Sequence, residues 1–181
     1  MNATLNNPDT MQLTEVDELV NGIVQRGEST RKVVETMAIL ASGKAQLAGR
    51  VTIHDLFDLE EAVLSSALSC GQAAIDDLTH HLFSDGIYIR EMVIPENCML
   101  TGAIHKTSHM SIMSAGDISI LTVDGVKRMT APFVVNTMPG VKRIGFAHKH
   151  TVWMDVHPNP TNEHDPEKLW DMFYHNIKPS E

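Results

Sequence analysis

Between Thr79 and Pro158 the chain is a run of short segments rich in β-branched and aromatic residues, each closed by a turn signal. The segments are GIYIREMVI (86–94), ISILTV (118–123), PFVVNT (132–137) and VKRIGFAH (141–148). Pro95-Glu96-Asn97, Ala115-Gly116-Asp117, Asp124-Gly125 and Pro139-Gly140 supply the turn signals. Many short strands with regular turns predict an antiparallel sandwich or barrel. Asp124-Gly125, between ISILTV and VKRMT, is the signature of a two-residue hairpin.

The chain before Thr79 has a helical texture. Residues 1–12 read as a flexible arm. Thr14 with Asp17 opens a helix on Val16, Leu19, Val20, Ile23 and Val24, and Gly27 ends it. A second starts near Ser29 and carries Val33, Val34, Met37, Ala38, Leu40 and Ala41. Thr52 and Asp55 repeat the capping pattern for a third, with Leu56, Leu59, Val63 and Leu64 on one face. Ser65–Asp77 either continues it or forms a short fourth helix. After the barrel, Asp165 as cap and Pro166 at the first helical position start a closing helix through Leu169, Met172 and Phe173. The expectation is an α+β fold: a helical region at 1–78, an antiparallel β-barrel at 79–158, and a tail with a short helix at 159–181.

Composition narrows the partners. No apolar run approaches the roughly 20 residues of a membrane helix, and the polar N-terminus is unlike a signal peptide. Cys70 and Cys98 match neither a disulfide framework nor a zinc-ribbon spacing, so a reducing cytoplasm is expected. Net charge of −9 argues against bulk nucleic-acid binding, which needs Lys and Arg on phosphates. The charge is uneven, however. Residues 99–150 hold six basic and two acidic residues, a net +4 inside an otherwise acidic chain. That field suits a small anionic molecule, although lysines on exposed strand edges produce the same count while guarding against aggregation.

Seven of the ten histidines fall between residues 80 and 157. His105 and His109 form one close pair; His148 and His150 form another. On regular strands His105, Thr107 and His109 share a face, as do His148 and His150 with Ile144 and Phe146. Ile144 and Phe146 are expected to face the barrel interior, which takes the second pair inward with them. Only one of the neighbours His80 and His81 can fold over the barrel mouth. His157, His164 and His175 read as inert, and His54 as an exposed residue in a first helical turn.

Three readings of the paired histidines stay open: inert core or surface residues, metal ligands, or a metal-free acid–base pair. Neutral imidazoles suit zinc, iron, manganese or nickel, here through His105, His109 and His148. Alternatively His105, His109, His148 and His150 act as catalytic acid and base on a phosphodiester. Lys106, Thr107, Arg143, Lys149, His80 and His81 then bind the ligand, and no cofactor is needed. His105-Lys106-Thr107 also has the His-x-Thr form of the two-histidine phosphoesterases.

The run GIYIREMVIP, LTGAIHKTSH, GDISILT, DGVKR, PGVKR and AHKHTVW resembles the cupin superfamily, particularly small phage-encoded cupin-like proteins. The resemblance covers Gly86–His157. It implies a small jelly-roll barrel with an internal ligand pocket, a homodimer or higher homo-oligomer, and, for a phage protein, the host cytoplasm. A nucleotide or cyclic nucleotide signal, cleaved or sequestered as a counter-defence, becomes a sensible ligand. Counted back from Gly116 on the family's metal motif, His109 falls at the glutamate position, His105 at the second histidine and Ala103 at the first. Arg143 falls near the third histidine's place, with His148 five residues on and of opposite strand parity. A metal-dependent dioxygenase or isomerase, or a non-catalytic structural protein, are the alternatives the resemblance leaves.

Overall fold

The computed structural model describes residues 35–36, 38–40, 42, 51–65, 69–70 and 72–175. The helix expected from Thr14 lies outside them. The second is described only in part, as helical residues at 35–36, 38–40 and 42.

Helix α1 (Ile53–Leu64) starts where its cap demands. Thr52 accepts from the Asp55 amide at 3.2 Å, and Asp55 reaches back to the Thr52 amide at 2.7 Å, which satisfies two otherwise orphaned donors. Leu56, Leu59 and Val63 form its buried stripe. The chain does not continue as helix after Leu64; a separate short α2 spans Gln72–Asp77. Helix α3 (Pro166–Phe173) opens on Asp165, with proline in its first turn, and buries Leu169 and Phe173. Met172, expected on that face, is exposed instead.

Seven strands make one antiparallel sheet: β1 (Thr79–Ser84), β2 (Gly86–Ile94), β3 (Cys98–Gly102), β4 (His109–Thr122), β5 (Gly125–Thr130), β6 (Phe133–Thr137) and β7 (Arg143–Asn159). Two of these are long, and they organise the rest. β7 pairs with β4 along most of its length. On its other edge β7 takes β3 in its first half and β2 in its second. Strand β4 likewise takes β6 and then β5. The sheet is therefore two half-sheets, β3–β7–β4–β5 and β1–β2–β7–β4–β6, sharing β4 and β7 as a spine. This arrangement agrees with a cupin-type jelly roll.

Where the halves meet, the spine carries a bulge. Ala115-Gly116-Asp117, expected as a turn, lies inside β4, and the β4–β7 register shifts there. Gly116 has φ +104°, and a Cβ on it would lie 2.7 Å from the His150 carbonyl oxygen. Only glycine fits both demands. Asp124-Gly125 does mark a hairpin; Gly125, at φ +104°, pairs with Thr122 across Val123-Asp124. VKRIGFAH proves to be the first part of the 17-residue β7, which runs on to Asn159.

Helix α1 packs on the outside of the first half-sheet. Its apolar stripe meets Met99, Leu121, Ile144 and Phe146 in one buried cluster. Lys142 fixes the contact: its ammonium pairs with Glu60, donates to the Gly102 carbonyl at 3.0 Å and lies 5.6 Å from the Phe57 ring centre. Cys70 and Cys98 are joined as a disulfide with Cα atoms 5.4 Å apart, which corrects the expectation of two unpaired thiols. No helix among the described residues is long and apolar enough to cross a membrane.

Candidate functional site

Odd-numbered residues on either side of the bulge in β7 face a lumen between the half-sheets. Its cavity measures about 410 Å³ and is lined by Arg143, Gly145, Trp153 and Asp155 from β7 and by Ile118 and Ile120 from β4. Arg90, Met92 and Ile94 of β2, Leu100 of β3 and His81 of β1 complete the walls, with Trp170 and Tyr174 from the C-terminal segment.

Asp155 is the centre of this lumen's polar end. It is 3% exposed, so an ionised carboxylate there must be met by donors. Ser111 donates to its Oδ1 at 2.6 Å and the Trp153 indole at 3.0 Å, while His109 Nε2 lies 3.3 Å away. Oδ2 faces His105 Nε2 at 3.8 Å. Burial pushes this carboxyl up, but His109, Ser111 and His105 outweigh it and hold it well below the usual carboxylate range. Because the Ser111 hydrogen goes to Asp155, Thr137 must donate to Ser111 across their 2.9 Å contact. Arg143 in turn donates to Thr137. One directed chain of hydrogen bonds thus runs from Arg143 to Asp155.

Around the carboxylate stand three buried imidazoles, His105, His109 and His157, each with a nitrogen within 4.8 Å of the others'. Their origin is local. His109 opens β4, and His157 sits on β7 one step beyond the Met110–Val156 pair, so the two rings lie 4.7 Å apart. His105 lies before β4 in an irregular segment held by an isolated bridge to Tyr174, and its ring stacks on His109 at 3.8 Å. Burial, first of all, lowers the pKa of His105 to about 3 and that of His157 to about 4. Both rings are therefore neutral near pH 7 and have lone pairs to offer. His105 Nδ1 and both nitrogens of His157 have no hydrogen-bond partner among the described residues.

The residues singled out in the sequence divide. His105 and His109 come together, and Arg143 and His81 line the same lumen. His148 and His150 do not join them. They share a face with Ile144 and Phe146 as expected, but that face is the outer one, apolar because α1 covers it. His148 is half-buried and bonds Ser119 Oγ at 2.7 Å; His150 and Lys149 are exposed. Of the adjacent pair, His81 bonds Tyr88 Oη at 2.8 Å, while His80 pairs with Glu91 at 3.0 Å on the opposite side of β1. Thr107 is exposed, and Lys106 is tied to the Asp171 carbonyl on α3.

Sequence reasoning missed His157, Asp155 and Arg90. A signal was present: in TVWMDVH, Val152, Met154 and Val156 alternate with Trp153, Asp155 and His157, which puts a carboxylate and an imidazole on one face. His157, read as inert beside Pro158, supplies the third imidazole of the cluster in place of His148.

No protein-family model and no curated protein matches the chain. Among solved structures it is similar to an RmlC-like cupin from Shewanella frigidimarina, at 15% identity over 50% of this chain and 78% of that one, with a TM-score of 0.40. A cupin-2 domain containing protein from the same organism is similar at 13% identity, over 44% and 78% of the two chains, with a TM-score of 0.38. A cupin domain from Bordetella pertussis follows at 11%, over 44% and 90%, with a TM-score of 0.37. No activity transfers from these neighbours. What the fold itself presents is an antiparallel β-barrel with a buried centre of three histidines and a carboxylate.

Proposed function

We propose that this chain is a metal-dependent protein whose lumen takes a small anionic molecule, with His105, His109 and His157 beside Asp155 holding a divalent metal. The observation that carries it is the convergence of three buried imidazoles, each offering a nitrogen within 4.8 Å of the others', with His105 Nδ1 and both nitrogens of His157 unspent on other bonds. The donor set fits: imidazole suits zinc, iron, nickel and manganese, and a carboxylate that orients the ligating rings is a recurrent companion. A bound metal would supply Lewis-acid chemistry to an oxygen ligand arriving from the lumen. The protein's own part is to orient the rings through Asp155, to exclude water, and to draw the anion with Arg90 and Arg143.

Phosphodiester cleavage by His105, His109, His148 and His150 has less support, because the sheet separates the two pairs. A purely structural role fits poorly with a lumen of about 410 Å³. Protein purified without an affinity tag, titrated with each metal and assayed by elemental analysis, tests the proposal. Near-stoichiometric metal is expected in the wild type and in His148→Ala, with loss in His109→Ala and His157→Ala. Full metal content in His157→Ala, or none in the wild type, would sink it.

We further propose a homodimer through the outer face of the half-sheet β1–β2–β7–β4–β6. Leu82, Ile89, Val156 and Met110 form one cross-strand row there, and Met154, Ile112 and Val134 lie in the next. Leu82, Ile87, Met110 and Val134 are 42–58% exposed. Five strands at roughly 4.8 Å spacing and about 20 Å of length give a plan of about 500 Å². Side-chain relief brings this near the roughly 800 Å² per partner of a standard interface. On this face Glu91 is hydrogen-bonded to the His80 ring at 3.0 Å, which leaves the rows between Leu82 and Val134 apolar.

A further inference from the structure

Two guanidinium groups in the lumen form no close ion pair among the described residues, although Asp155 acts on Arg143 electrostatically from a distance. Arg143 is half-buried and Arg90 faces the same cavity, yet neither enters an ion pair among the described residues. Arg143 donates to the Thr137 hydroxyl, and Arg90 Nη1 lies 2.8 Å from the Met92 sulfur, a poor acceptor. Asp155 stands directly opposite Arg90 in the β2–β7 register, but its Oδ1 is engaged by Ser111 and Trp153 and its Oδ2 faces His105 at 3.8 Å. Placing a cation out of water without an anion is costly, so the pair is poised for one supplied from outside.

Beyond the guanidiniums the wall changes character. Met92, Ile94, Leu100, Ile118, Ile120 and Trp153 give it a hydrocarbon surface. The described polar side chains away from the histidine centre are few and lie at the wall's edges: Ser69, Asp76, Thr79, His81, Thr101 and Tyr174. A nucleotide needs a polar partner for nearly every edge of its base and sugar, and this wall offers little of that kind. An apolar tail needs none.

We propose that the ligand of this lumen is a monocarboxylic acid with a hydrocarbon tail, its carboxylate held by Arg143 and Arg90 and its tail on the aliphatic wall. This deepens the metal-centre reading by naming the ligand class; it rests on that reading for reactivity, and its binding is measurable without metal. A bidentate fork matches a carboxylate in geometry and charge. The tail contributes by leaving water, at about 0.8 kcal/mol per methylene, or about fourfold in affinity.

The test is calorimetric titration of the full chain, stripped of metal, with butanoate, hexanoate, octanoate, octanol, inorganic phosphate and adenosine monophosphate. Affinity is expected to rise by roughly fifteenfold for each two carbons from butanoate to octanoate. Octanol, phosphate and the nucleotide should bind at least tenfold more weakly than octanoate. Arg143→Met, which replaces a half-buried charge with a side chain of similar length, should lose at least tenfold for octanoate. His157→Ala should lose metal and keep octanoate binding, so failure of the carboxylate site and failure of the metal centre are separable. Binding independent of tail length, nucleotide binding as tight as octanoate, or unchanged octanoate affinity in Arg143→Met would each overturn the proposal.

Discussion

Asp155 is nearly sealed from water yet ionised, and the neutral histidines beside it make the site sensitive to acid. His105 and His157 have folded-state pKa values of about 3 and about 4, below the ordinary 6.5 of an unfolded histidine. Between those values the unfolded chain binds more protons than the folded one, so stability rises with pH through that window. It is complete above about pH 6.5 and is lost as the pH falls towards 4. At pH 5 each histidine should have cost about 2 kcal/mol. Thermal unfolding of the metal-free protein should therefore show a midpoint that falls steadily from pH 7 to pH 5, with a shallower slope in His157→Gln. A flat profile would refute the assignment. These burials are also why the site was only half legible in the sequence. His105 and His109 announce themselves as a close pair, whereas His157 depends on strand parity. Parity misleads here because Ile144 and Phe146 do not face the lumen. They mark a second apolar surface, which exists only because a helix lies on it.

At the scale of elements, what is decided by neighbours in sequence was readable, and what is decided across the fold was not. The Thr52–Asp55 capping box, the Asp165–Pro166 helix start and the hairpin at Gly125 each involve a few consecutive residues. Ala115-Gly116-Asp117 has the composition of a turn but serves as a bulge, since the long β7 beside it keeps the strand paired on both sides. The Cys70–Cys98 pairing and the docking of α1 likewise depend on distant partners. Lys142 shows how much that docking rests on one buried ion pair, its side chain 4% and that of Glu60 13% exposed. Lys142→Ala should cost about 3–5 kcal/mol in urea denaturation, because it strands a buried carboxylate. Lys142→Met combined with Glu60→Gln should recover most of that loss. Equal losses in the single and double variants would show that the charge pair is not what holds the helix.

For the whole molecule, the test of the proposed dimer is its mass in solution. Light scattering at micromolar concentration should return twice the monomer mass for the wild type and the monomer mass for Met110→Glu with Val134→Glu. A monomeric wild type, or an unaltered dimer in the double variant, would exclude that face. Within one subunit the two walls of the lumen are not separate bodies. Strands β4 and β7 run without interruption through both half-sheets, each paired on both edges. The walls cannot part without tearing the hydrogen-bond ladders of both strands. The spacing of the barrel is therefore gauged by its own backbone, and the side chains that line the lumen can turn only within a frame whose width the two long strands hold.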